Sequence, residues 1–119
     1  MHLELDSFNG GGDFRIKDAR LRTTPFFIML KMKACGYCVK ALPDFEALGR
    51  LTSIPTFTVD SMGTPGEVAL SKKIIEWLGQ GNFSGFPTYI LFMPNGAMIK
   101  HNGGRSSQDL LAFLNTQTR

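Results

Sequence analysis

At 119 residues, 43% of them hydrophobic and 19% charged, the chain has the size and composition of a single globular domain with its own core, which excludes disordered and fibrous classes. Two cysteines are too few for a disulfide scaffold, so packing must hold the fold. The net charge of +3 carries no dense basic run: Lys31, Lys33, Lys40, Lys72 and Lys73 read as solvated surface, which argues against a nucleic-acid partner.

In chain order, the opening MHLELDSFNGGGDF has neither the basic nor the apolar stretch that directs secretion. Residues 1–12 form a short first element or a flexible lead, and the glycines of residues 9–13 a joint to the main body. Residues 26–32 are almost unbroken apolar after Pro25, the pattern of a central strand buried on both faces, and far too short to cross a bilayer. A soluble, cytoplasmic monomer is expected.

The motif KMKACGYCVKALPDFE begins at Lys31, and Val39, Leu42, Phe45 and Leu48 then repeat at helical spacing to about Leu51. Pro43 lies inside that helix and is expected to kink it by removing a hydrogen bond. IPTFTVD, at residues 54–60, reads as a strand. SMGTPGE reads as a turn-rich connection, with Ser71 capping a helix over residues 72–78. In that helix Trp77 joins Ile74, Ile75 and Leu78 on a core face. PTYILF and AMIKH, joined by MPNG, predict a hairpin turning at Asn95-Gly96. Ser107 is expected to cap a last amphipathic helix carrying Leu110, Leu111 and Leu114. Strands alternating with helices and ending in a hairpin predict an α/β fold, a mixed sheet sandwiched by helices.

Cys35 and Cys38 are the chain's two cysteines. Taken alone, their spacing fits a redox couple, half of a zinc site or an inert buried pair. Zinc wants two further ligands, and the histidines are His2, near the terminus, and His101, beyond the hairpin. No metal is therefore expected. At the amino end of a helix the free amides and the macrodipole favour an anion. Cys35 is accordingly expected to be the attacking thiolate, with a modest contribution from Lys33. Cys38, one turn further in, is expected to be buried and to resolve the mixed disulfide. Tyr37, between them, is expected to be exposed and to contact substrates.

These stretches together resemble the thioredoxin superfamily, and within it the single domains of protein disulfide isomerases. CGYC is close to the isomerase-type Cys-Gly-His-Cys, and VKALPDFE is similar to the family's lysine, leucine, proline and aromatic sequence, with Pro43 at the helix-kinking proline. SGFPTYILF resembles the isomerase GFPT segment, and HNGGR before a terminal helix resembles its glycine-arginine element. The resemblance runs from about Asp13 to the end of the chain. It implies a thioredoxin fold and exchange between Cys35, Cys38 and the thiols or disulfides of proteins, with no dissociable cofactor. It further implies a cis bond before Pro87 that shapes a substrate groove flanked by Phe86, and an Arg105 that approaches the site and tunes the resolving cysteine.

Departures stand beside the likeness. Ala34 occupies the place of the family's tryptophan, and Met29 that of its buried acid, leaving Lys31 or Glu46 as partial substitutes. The stretch from Asp60 to Pro87 looks long, with TPGEVAL as an added loop near the site. Two alternatives stay open. One is a glutaredoxin-like reductase using glutathione, since some glutaredoxins carry CGYC and a double glycine. The other is a non-catalytic module that binds partners, suggested by Met29 and Ala34. The Gly-Tyr dipeptide leans the expected direction toward an oxidase or isomerase.

Overall fold

The computed structural model describes residues 23–79 and 81–118. His2, the opening element and the glycine joint lie outside the described residues. Four strands, β1 (Phe26–Lys31), β2 (Thr56–Asp60), β3 (Thr88–Phe92) and β4 (Met98–His101), form one sheet in the order β2-β1-β3-β4. β1 pairs parallel with β2 and antiparallel with β3, and β3 pairs antiparallel with β4. A parallel pair needs a crossover, supplied here by α1 (Gly36–Leu51). Helices α2 (Pro65–Leu78) and α3 (Ser107–Gln117) complete the order. The α/β sandwich around a mixed sheet is borne out.

The apolar run of β1 works by alternation, since successive side chains leave a strand on opposite faces. Phe26, Ile28 and Leu30 pack into one layer with Phe57, Val59, Ile90, Phe92 and the α2 residues Leu70 and Ile74. Phe27 and Met29 pack into the other, with Tyr89 and Leu91, with Cys38, Ala41, Phe45 and Leu48 of α1, and with Leu110 and Leu114 of α3. One strand thus divides the core into two layers. Trp77, Ile75 and Leu78 pack against the first, as their spacing predicts.

Three local expectations are corrected. The segment read as an added loop opens α2 instead: Thr64 caps it, Pro65 starts it, and Glu67 closes a reciprocal capping box. Glu67 is buried, accepting from the backbone N–H groups of Thr64 at 3.1 Å and of Asp60 at 2.9 Å. Ser71 caps nothing; it is buried in mid-helix, on the face that carries Glu67, Leu70 and Ile74. The cap of α3 is Ser106, one residue earlier than expected, accepting from the Asp109 N–H at 3.1 Å. Ser107 is the first helical residue, and its N–H donates to Asp44 Oδ1 at 3.1 Å, tying α3 to α1.

The β3–β4 hairpin turns through Pro94, Asn95 and Gly96, with Gly96 at a φ of 100° that a side chain would resist. Helix α1 runs continuously through Pro43. No described helix is long and apolar enough to cross a membrane.

Candidate active site

β1 ends at Lys31, and a tight turn, closed by the Cys35 N–H donating to the Met32 carbonyl at 2.9 Å, delivers Cys35 to the start of α1. Cys35 is the N-cap: its backbone is extended, and its Sγ accepts from the Cys38 N–H at 3.2 Å. A cap normally offers a side-chain oxygen to the amide at this position. Here a sulfur takes that place, so the Cys35 thiol itself meets the positive end of the helix.

Several influences lower the pKa of Cys35 from an ordinary thiol value. The largest is a hydrogen bond from the Cys38 thiol; the amides of Cys38 and Tyr37 and the charge of Arg105 add to it, while burial opposes them. Cys38 goes the other way. It is 2% exposed, and burial, its hydrogen bond to Cys35 and the negative charge on Cys35 push it up to about 11, against a weaker pull from Lys31 and the Met32 backbone. One environment therefore favours the thiolate at Cys35 and the thiol at Cys38. At about pH 7, limiting iodoacetamide is expected to modify Cys35 and spare Cys38, with a rate that climbs through the lowered pKa of Cys35. Peptide mapping that found label mainly on Cys38 would overturn this assignment.

The peptide bond between Phe86 and Pro87 is cis. The Phe86 carbonyl lies 3.6 Å from Cys35 Sγ and accepts from its thiol when protonated. Pro87 is buried, and Phe86 is half-buried, edge-on to Phe83 at 5.2 Å between ring centroids. Tyr37 is 68% exposed, and the Arg105 guanidinium carbon sits 5.7 Å from its ring centroid. That is a cation–π distance. The structure thus brings Cys35, Cys38, Tyr37, Phe86, Pro87 and Arg105 to one end of the sheet.

Lys33 does not join them. It is exposed in the turn before Cys35 and is not among the charges acting on either thiol; the cation that reaches Cys35 is Arg105, distant in sequence and near in space. The substitutes considered for a buried acid also separate. Glu46 is exposed, lining with Lys31 and Arg50 a cleft of about 420 Å³ against β1 and β2. Lys31 pairs with Asp60 at 3.4 Å and adds a weak field at Cys38. Met29 is fully buried in the same layer as Cys38, so no carboxylate stands at that point of the strand.

Sequence reasoning missed two groups. The Phe86 carbonyl is backbone, and no side-chain pattern announces it. Tyr89 carries a buried hydroxyl with no hydrogen-bond partner, in the layer that holds Cys38. A phenol inside the apolar run TYILF was a legible signal for it.

No family model matches the chain. A protein disulfide-isomerase of Neurospora crassa, erp38, is 37% identical over 84 residues, covering 68% of this chain and 21% of the relative. The chain therefore spans about a fifth of the length of that relative. Among solved structures, ERdj5 in its crystal form II matches the whole chain over 14% of its own length, with a TM-score of 0.72 at 16% identity. The J-Trx1 fragment of ERdj5 gives a TM-score of 0.63 at 19% identity, covering 81% of this chain and 44% of the fragment. The exposed lipoprotein thioredoxin Etrx1 of Streptococcus pneumoniae gives 0.60 at 16% identity, covering 82% and 88%. At those identities the structures establish the fold, to which the sequence relative adds its own likeness. The chain has the thioredoxin fold and is similar in sequence, over 84 residues, to a protein disulfide-isomerase.

Proposed function

We propose that the chain is a thiol–disulfide oxidoreductase that exchanges disulfides with proteins, leaning toward oxidation or isomerisation. The observation that carries this reading is the division between the two thiols. Cys35 caps the helix and is activated, whereas Cys38 lies one turn deeper, buried and held protonated. The Cys35 thiolate attacks a client disulfide and forms a mixed disulfide; Cys38 then attacks Cys35 Sγ and releases the reduced client. In the oxidising direction the same steps run backward, from an oxidised Cys35–Cys38 pair to a client dithiol. The cis Phe86–Pro87 segment lines the approach to Cys35, and Tyr37 and Arg105 form its exposed rim. This chemistry uses no dissociable cofactor, and the expected setting is the cytoplasm.

The direction rests on the Gly-Tyr dipeptide and on the isomerase relative. Equilibration of the Cys35–Cys38 couple across glutathione buffers is expected to give a potential near about −200 mV, well above the roughly −270 mV of thioredoxin. A value at or below the latter would reverse the direction and make the protein a reductase. Met29 and Ala34 favour a second reading, a thioredoxin-fold module that binds partners without turning over. The two readings part at Cys35.

A further inference from the structure

Resolution of a mixed disulfide asks a buried sulfur to take on negative charge. Cys38 shares its layer with Met29, Ala41, Phe45, Leu48 and Leu91, side chains with nothing to offer an anion. Lys31 and the Met32 backbone pull weakly on a Cys38 charge, and the same layer also holds the phenol of Tyr89. Tyr89 is 2% exposed, and its ring is fixed by Phe27 and Phe45, each at 6.0 Å between centroids, and by His101 at 6.1 Å. Strand register puts it directly opposite Met29, on the strand that leads to the cysteines. Its hydroxyl is buried and has no partner. A polar atom left so in a packed layer is unusual and calls for a reason.

We infer that the Tyr89 hydroxyl is a further catalytic group, donating a hydrogen bond to Cys38 Sγ as that sulfur becomes charged in the resolving step. This rests on the exchange chemistry proposed above. In the dithiol, Cys38 is itself a donor, to Cys35, and draws nothing from Tyr89. During resolution it becomes an acceptor. The Cys35–Cys38 bond forms, the bond from Cys35 to the client sulfur breaks, its electron pair leaves with the client sulfur, and the proton lost by Cys38 ends there. Cys38 is oxidised and the client sulfur reduced. A contact made only in this passage lowers the barrier without stabilising the starting state.

The charged and titratable groups around Tyr89 are Cys38 and Asp44 from α1, Arg105 from the loop before α3, and His101 from β4; β1 contributes Phe27 and Met29, and neither titrates. Burial first, then the charges of Cys38 and Asp44, against that of Arg105, push the phenol up to about 12. It remains a donor wherever the thiols react.

The test isolates Cys38. In a Cys35→Ala protein, alkylation of Cys38 at about pH 8 reports its thiolate, and Tyr89→Phe is expected to slow it about tenfold. In the protein with both cysteines, Tyr89→Phe is expected to prolong the mixed disulfide through Cys35 while Cys35 alkylates at its former rate. Removing an unpartnered hydroxyl should leave thermal stability equal or higher, which separates this role from a packing role. Cys38 alkylation equally fast with either residue overturns the inference and leaves the exchange reading standing. Absence of exchange by the unaltered protein sinks that reading instead, and the Cys35→Ala comparison still decides whether Tyr89 reaches Cys38.

Discussion

Cys35→Ser is expected to reduce disulfide exchange by on the order of a thousandfold or more, to background, because a hydroxyl at that position has no accessible anion to attack a disulfide. Cys38→Ser is expected to behave differently. The attacking thiolate survives, but nothing resolves the product, so clients accumulate in mixed disulfides through Cys35 that persist until an outside thiol releases them. The pair of variants also separates the two functional readings. A partner-binding module keeps its partner when Cys35 becomes serine and traps nothing when Cys38 does. Non-reducing gels of each variant mixed with an oxidised client, followed by mapping of the trapped cysteine, give the answer. Equal exchange by Cys35→Ser and the unaltered protein would end the assignment of Cys35 as nucleophile.

Phe27→Ala is expected to remove about 4 kcal/mol of folding stability, within the range for truncating a fully buried aromatic. Phe27 is the hub of the layer that holds Cys38: its ring lies within 6.0 Å, between centroids, of those of Phe45, Tyr89 and Phe113, so one truncation opens contacts to α1, β3 and α3 together. Against the roughly 5–15 kcal/mol typical of a native domain, such a loss is severe. Urea unfolding of the two proteins measures it. A loss under about 1.5 kcal/mol would show that α1 and α3 close over the space, contrary to a layer packed at interior density.

Much of this was legible in the chain. The apolar run from Phe26 to Met32 suited a strand covered on both faces, and the CGYC motif with GFPT and GGR pointed to the fold. Errors gathered where a residue has two uses. Pro65 and Gly66 read as turn formers, yet proline suits the first position of a helix, and Glu67, three residues after Thr64, was the signal that one began there. Ser106 and Ser107 are adjacent and chemically identical, so only backbone geometry chooses the cap. Lys33 was favoured for its closeness in sequence to Cys35, whereas charges act through space, and the fold brings Arg105 instead. The value of Tyr89 depends on a missing partner, which no linear pattern displays.

The alternation along β1 has a consequence for how the sequence can change. Residues 26, 28 and 30 face a layer whose members only fill space; residues 27 and 29 face the layer that sets the environment of Cys38. Neighbouring positions on one strand thus answer to different demands, the first set to volume alone and the second to volume and chemistry at once. Among the described residues, Phe86 is the half-buried side chain that packs against both layers, and its carbonyl touches Cys35. The far side of the sheet is free to be rebuilt for stability provided that the seat of this one ring is kept.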